Sequence, residues 1–332
     1  MTVAQYLHHW LEADIDRRVA ARTAARYRGI VEKNIIPNLG HVPMRKLTAV
    51  HIEAFEAKLQ REGWVKPQAK QKTNEGEQAP IQEKRGLSSQ TALHVHRVLS
   101  QALGHAVRVG VLFKNPARQV KPPRPPWREI KILDKGEITA LVNAAKGTDL
   151  YVPILVAVTT GMRRGELLGL RWSDIDWKAA SLTVNQSLER IKEKYQFKAP
   201  KTKTSRRTIS LPRSAVEALR AHYKAQLELR FKLGLARDSR ALVFSQPDGK
   251  PMDADTLSKS FGRLVATTKV TPITFHGLRH THISHLLMDG DHIKVVSERA
   301  GHADVTTTLR VYAAYIPHMQ TDTALRVDAW LR

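Results

Sequence analysis

The sequence predicts a mainly α-helical protein in two parts: a small N-terminal helical bundle, then a larger, mostly helical domain carrying a small antiparallel β-sheet. Three observations predict it. Apolar residues recur at helical spacing from the start, with Val3, Tyr6, Leu7, Trp10 and Leu11 on one face. A basic, proline-rich stretch, Lys121-Pro-Pro-Arg-Pro-Pro-Trp-Arg128, then interrupts the pattern. Strand-like alternation is concentrated between Asp174 and Leu211.

Thr2 is placed to cap the first helix. Tyr27, Ile30, Val31 and Ile35 mark a second, ending near Pro37 and Gly40, and Thr48 opens a third with Ile52, Phe55 and Leu59 inward and Gly63 as its stop. From Lys66 to Gly86 the chain is almost devoid of apolar residues and reads as a long loop or insertion. Ser88 caps a longer helix with Leu93, Val98, Leu99, Leu103 and Val107 inward, closed at Gly110. Proline stiffens the segment after Asn115, so it can fix the spacing of two domains. Lys121 and Arg124 there suit a strap across a phosphate backbone; a plain solvated linker has the same composition. We assign residues 1–115 to the bundle, 116–130 to the linker and 131–332 to the second domain.

In that domain Asp134 or Lys135 leads into a helix through Ile138, Leu141 and Val142, and Tyr151–Thr160 is an apolar helix running into a turn at Gly161. The stretches Asp174–Val184 and Phe197–Leu211 read as the arms of a hairpin, with Lys201 and Lys203 at its tip. Pro212–Leu235 is a long helix, Leu242-Val-Phe a short buried strand, and the remainder helical, broken at Gly277, Gly290 and Gly301.

Lys and Arg number 54 against 31 Asp and Glu, a formal net charge of +23. Such an excess is the footprint of a polyanion partner, most often nucleic acid. The apolar runs are far shorter than the ~20 residues of a spanning helix, and the N-terminus lacks a basic-then-apolar signal pattern. With no cysteine, disulfides, thiolate zinc sites and cysteine nucleophiles are excluded. The expected compartment is the cytoplasm. An apolar fraction of 42% with 6 Trp argues for packed cores rather than a disordered basic tail.

Four segments carry the chemistry: Thr160-Gly-Met-Arg-Arg-Gly-Glu166, Lys198-Ala-Pro-Lys-Thr-Lys-Thr-Ser-Arg-Arg207, His276-Gly-Leu-Arg279, and Gly301-His302 followed by Tyr312. Breaking a phosphodiester without metal needs an in-line nucleophile, a proton acceptor, cations for the equatorial oxygens and an acid for the leaving oxygen. Tyr312 is the candidate nucleophile, with Tyr315 its local rival. A free phenol has a pKa near ~10, which neighbouring guanidiniums lower. Arg163 offers parallel donors to a phosphate, and Glu166, three residues on, is placed to orient it. His276 and Arg279 share a helix face. Lys201 or Lys203 suits protonation of the leaving oxygen, while Arg206 and Arg207 beside them suit phosphate contacts. His276 and His280 have metal-ligand spacing, but no carboxylate or thiolate completes a site, so no metal or other cofactor is expected. His280, His282 and His285 read as structural.

Together, Thr-Gly-x-Arg-x-x-Glu, Pro-Lys-Thr, His-x-x-Arg, Gly-His and a Tyr ten residues beyond that His resemble the tyrosine recombinases of the phage-integrase type. The resemblance covers nearly the whole chain. It favours Tyr312 over Tyr315, because Pro317 then falls at the usual offset. It implies that Arg163 and Arg279 clamp the scissile phosphate, that His276 is the general base, that His302 donates to the phosphate, that Glu166 supports Arg163, and that Lys201 is the general acid. It implies a 3′-phosphotyrosyl intermediate, a Holliday junction, and integration or excision of a mobile element. A clamp of the two domains around duplex DNA, a homo-tetramer on attachment-type sites and accessory or directionality proteins are implied as well. The tail from Ile316 to Arg332 is expected to pack on a neighbouring protomer or on its own domain. Three departures stand out: the bundle starts near residue 2, where a small arm-binding domain is expected ahead of it in many phage integrases, so either simple sites or a shortened chain is expected; the 66–86 stretch is long; and Ala314 stands where a helper His is frequent. Two other readings compete: a non-catalytic DNA-binding relative, and a type IB topoisomerase, disfavoured by the short bundle.

Overall fold

The computed structural model describes residues 1–62, 86–126, 129–191, 194–199, 206–236, 238–313, 327, 328 and 330. The chain divides into two compact units, Met1–Arg128 and Glu129–Arg332.

The first unit is helical among its described residues. Helix α1 (Val3–Trp10) starts at a capping box: the Thr2 hydroxyl accepts from the Gln5 amide while the Gln5 side chain accepts from the Thr2 amide. It passes through a π-type turn at Leu11–Ile15. Helix α2 (Ala21–Ile30) continues through a similar turn, Val31–Ile35, to Leu39, so Pro37 lies within the last helical turn rather than ending it. Helices α3 (Ala49–Glu62) and α4 (Ser89–Arg108) complete the bundle, and Ser88 caps α4 through the Thr91 amide. The expected stripes are inward: Tyr6, Leu7, Trp10, Ile52, Phe55, Val98 and Leu99 are all buried. Leu93 and Val107, at the edge of the α4 stripe, are only half-buried. The loop expected at 66–86 lies outside the described residues except for Gly86.

The linker begins later than its first proline suggests. Pro116–Gln119 forms a single 3-10 turn capped by Asn115, and Ala117 and Val120 are buried in the first unit's core. Lys121 and Arg124 follow and are exposed.

In the second unit, α5 (Lys135–Ala145) begins at a capping box of Asp134 and Glu137. Helix α6 (Tyr151–Thr160) is apolar nearly all round because it is buried nearly all round. After Gly161 comes the short α7 (Arg164–Leu168). Strands β1 (Ile175–Asp176), β2 (Ser181–Val184) and β5 (Arg207–Ser210) form one antiparallel sheet in the order β1-β2-β5, with Leu182 opposite Ile209. The chain between β2 and β5 adds its own hairpin, β3 (Ser187–Ile191) with β4 (Lys194–Lys198). The two strands pair from Ser187 with Lys198 to Ile191 with Lys194. Lys201 and Lys203, expected at a hairpin tip, come after β4 in the chain and lie outside the described residues.

The unit closes with α8 (Arg213–Lys232), α9 (Ala254–Thr267), α10 (Phe275–Met288), α11 (Ile293–Ala300) and α12 (Val305–Tyr312). Leu242-Val-Phe is not a strand. Leu242 makes an isolated bridge to Arg171, and Val243 and Phe244 are buried. Gly277 does not break the chain either: it lies in the first turn of α10, capped by Thr274, where an added Cβ would fall 2.8 Å from Ile273 Cβ. The expected tail beyond Tyr312 is described only at Ala313, Val327, Asp328 and Trp330. Among the described residues, no helix is long and apolar enough to cross a membrane.

Candidate active site

Helix α6 ends because Gly161 adopts a left-handed conformation (φ +65°). An added Cβ there would come within 2.5 Å of the His282 ring. The turn releases Arg163 from an otherwise buried element. Its backbone N–H donates to Glu166 Oε2 at 3.0 Å, its Nη1 to Glu166 Oε1 at 2.8 Å, and its Nη2 to the Gly301 carbonyl at 2.9 Å. The Arg163 side chain stays 40% exposed, so it is the open face of the site.

Arg279, from α10, lies behind it at 2% exposure. Its Nη1 donates to the Gly161 carbonyl at 2.6 Å and its Nη2 to the Ala300 carbonyl at 2.7 Å. Both acceptors sit at helix C-termini, where the helix dipole favours a cation. Burial, and then the positive Arg163, lower its pKa to about 9, which leaves the guanidinium charged at neutral pH.

Arg207, expected among the DNA contacts, is buried instead. Its Nη2 donates to Glu166 Oε2 at 2.8 Å and its Nε to the Arg299 carbonyl at 2.7 Å. The alternation of β5 explains the difference, because Arg207 and Ile209 face inward on the same side of the strand. Its neighbour Arg206 is exposed. Glu166 is thus held by two arginines. Burial raises its pKa, but the Arg207 hydrogen bond and the charges of Arg207 and Arg163 outweigh that and bring it down to about 2.

Three consecutive carbonyls at the end of α11 therefore receive three arginines: Arg299 O from Arg207, Ala300 O from Arg279, and Gly301 O from Arg163. Gly301 makes this possible by its left-handed turn (φ +66°), packed against the Arg207 guanidinium. His302 follows. Its Nδ1 bonds the buried Thr308 hydroxyl at 2.7 Å, and burial with the charges of Arg279 and Arg163 holds its pKa at about 4. His276, solvent-exposed at the start of α10, is likewise brought to about 4 by partial desolvation, then by His280 and the arginines.

Tyr312 is the last residue of α12 and is buried at 1% exposure. Its hydroxyl lies 2.6 Å from Nδ1 of His280, and its charge couples to Arg279. The structure thus brings together Arg163, Glu166, Arg279, His302 and Tyr312, with His276 packed edge-on to His280 at 4.9 Å between ring centroids. Lys121 and Arg124 belong to the first unit, and Lys201 and Lys203 fall outside the described residues. Two participants escaped sequence reading. His280 was one of a run of histidines; its signal was its place one residue after Arg279 and one turn after His276. Arg207 was read by its charge, whereas the β5 alternation put it inside. His282 and His285 are structural: each bonds a backbone carbonyl, of Val158 and Leu133 respectively. Among the described residues no cluster of His, Asp and Glu could hold a metal ion.

Residues 131–317 match the family model described as the phage integrase family, and residues 2–60 match that of the phage integrase N-terminal SAM-like domain. The chain belongs to the phage integrase family. By membership this integrase is a tyrosine-type site-specific recombinase. It is 29% identical to a tyrosine recombinase XerC-like protein of Caldanaerobacter subterraneus subsp. tengcongensis, over 97% of this chain and 81% of the relative. It is 28% identical to an integrase of Streptomyces ambofaciens, over 96% and 78%. In fold, the integrase is similar to the Tn1549 transposon integrase solved with a circular intermediate DNA (TM-score 0.77, 22% identity, 100% of both chains). It is also similar to a lambda integrase dimer bound to a COC′ core site (TM-score 0.64, 18% identity, 92% of this chain and 97% of that one).

Proposed function

We propose that this integrase cuts and rejoins duplex DNA at specific sites through a covalent bond between Tyr312 and a 3′-phosphate, in the service of a mobile element. The observation that carries the reading is the docking of the Tyr312 hydroxyl against α10, 2.6 Å from His280 and in electrostatic reach of Arg279. A phenol in that position has the phosphate-binding cations beside it.

In this reading the exposed Arg163 meets the scissile phosphate first, and Arg279 supplies charge from behind. Both are fixed by carbonyls and Glu166 before substrate arrives, so little reorganisation is needed as charge grows on the phosphoryl oxygens. His302 donates a hydrogen bond to those oxygens, and the family pattern gives the phenolic proton of Tyr312 to His276 as general base. Tyr312 Oη attacks phosphorus, the P–O5′ bond breaks, and Lys201 protonates the leaving 5′-oxygen. The bond to tyrosine conserves the energy of the phosphodiester, so a 5′-hydroxyl from a partner strand can reverse the step. Two such exchanges pass through a four-way junction. Lys121, Arg124, Arg206 and Lys203 add phosphate contacts outside the chemistry. A lambda integrase tetramer has been solved on a Holliday junction, and a homo-tetramer on two attachment-type sites is the assembly this reading requires.

The test is covalent capture. The integrase is incubated with nicked, sheared genomic DNA of its source and denatured in detergent, and the attached DNA is sequenced, beside Tyr312→Phe. One enriched sequence with wild type alone is expected. An adduct that persists in Tyr312→Phe would move the nucleophile to Tyr315. DNA binding without any adduct would favour a non-catalytic DNA-binding role.

A further inference from the structure

We propose that His280 is the proton acceptor for Tyr312, taking the phenolic proton onto Nδ1 as Oη bonds to phosphorus. This rests on Tyr312 being the nucleophile. It transfers to His280 the base role that motif resemblance gives to His276.

Geometry is the first argument. His280 Nδ1 and Tyr312 Oη are 2.6 Å apart, and the rings are inclined at 48° with centroids 5.6 Å apart. A general base must lie within hydrogen-bond reach of the proton it removes, and His280 already does. The other histidines that follow on α10 are committed elsewhere. His282 bonds the Val158 carbonyl through Nδ1 and accepts from Arg299 at Nε2, and His285 bonds the Leu133 carbonyl.

The surroundings are the second. His276 and Arg279 face His280 from its own helix, Tyr312 faces it from α12, and His302 couples to it from the segment before α12. Burial, then the positive Arg279, lowers the pKa of His280 below its ordinary 6.5, so the ring is a free base at neutral pH. A phosphodiester bound beside Arg279 brings negative charge that offsets the guanidinium. The base therefore strengthens when substrate arrives.

The step balances. Oη–P forms, P–O5′ breaks, the phenolic proton goes to His280 Nδ1, and the 5′-oxygen leaves with a proton from the general acid. On rejoining, a 5′-hydroxyl attacks and yields its proton, Oη–P breaks, and the His280 imidazolium returns the proton to Oη. Because His280 follows Arg279 directly in α10, one rigid helix carries both a phosphate cation and the base. His276 is left to donate to the phosphate.

The experiment measures single-turnover cleavage of a nicked duplex carrying the captured site, across pH, for wild type, His280→Asn and His276→Asn. Asn keeps a hydrogen-bonding atom near the Nδ1 position but cannot take a proton. His280→Asn should bind DNA normally and cleave roughly 10²–10⁴-fold more slowly, the span typical of general-base loss. Its rate should climb about tenfold per pH unit through the alkaline range as hydroxide replaces the base, while wild type levels off. Cleavage by His280→Asn at the wild-type rate, or slowed with the wild-type pH profile, overturns the proposal. A second readout needs no cleavage: the imidazole titration of His280, followed by NMR in the free protein, should rise in Tyr312→Phe, which removes a hydrogen bond to the neutral ring. An unchanged titration also overturns it. Absence of any Tyr312-dependent adduct in wild type overturns the parent reading, and the base assignment with it.

Discussion

Arg207 Nη2 and Glu166 Oε2 form an ion pair of 2.8 Å in which both side chains are buried. Glu166 in turn holds Arg163, so Arg207 supports Arg163 without touching it. Removing one partner of a buried pair strands the other charge, at a cost of about 3–5 kcal/mol. Arg207→Ala is expected to lose that much in urea unfolding. The adjacent Arg206→Ala should change stability by less than about 0.5 kcal/mol. Arg206→Ala should instead lower the slope of log affinity against log salt by about 0.9. Equal stability loss in the two variants would refute the buried pairing.

The same pair makes stability depend on acid. The Glu166 pKa falls from an ordinary 4.5 to about 2 on folding. The folded state therefore gains stability from the ionised carboxylate at pH above about 4.5. That gain, on the order of 3 kcal/mol, drains away as pH falls towards 2. Urea midpoints measured between pH 6 and pH 2.5 should decline less steeply for Glu166→Gln than for wild type. Parallel declines would mean that Glu166 is not the group responsible.

Gly301 is expected to tolerate no side chain. Its φ of +66° is left-handed, and a Cβ would fall 2.6 Å from Arg207 Nη1. The left-handed conformation alone costs an L-residue about 1–2 kcal/mol, and displacing Arg207 adds to it. Gly301→Ala should lower the Tm and slow cleavage together. Gly290→Ala, with φ +89° but open space around it, should lower the Tm with cleavage retained.

Lys201→Ala should slow cleavage by roughly 10²–10⁴-fold, the usual loss for a general acid. A substrate whose 5′-bridging oxygen is replaced by sulfur leaves without protonation and should recover most of that rate. A lysine that only positions DNA would show no such recovery. Lys203→Ala tested alongside should lose little.

Periodicity made most of the fold legible. Thr2, Ser88 and Asp134 cap the helices they were read to cap, and Leu182 and Ile209 face each other across the sheet. The errors have local causes. Leu242-Val-Phe has the composition of a strand, yet its buried backbone is served by the loop after α7, where the Val243 N–H donates to the Leu170 carbonyl. Gly277 looks like a breaker, but close packing on Ile273 rather than backbone freedom accounts for it. In the site, motif spacing named Arg163, Glu166, Arg279, His302 and Tyr312, which the structure brings together, because chemistry dictates residue type at such positions. It missed Arg207 and the contact of His280 with Tyr312. Those depend on which face of β5 turns inward and on how α12 packs against α10, and neither is written in a short motif.

The arginine bracket at the end of α11 also bears on local opening. Helix ends ordinarily fray on their own, at little free-energy cost. Here the last turn cannot unwind without releasing Arg207, Arg279 and Arg163 together. Fraying of one helix end and release of the three arginines become a single cooperative event. Slow amide exchange at Gly301 and His302 would then report, in the absence of any DNA, the fraction of molecules competent to cut it.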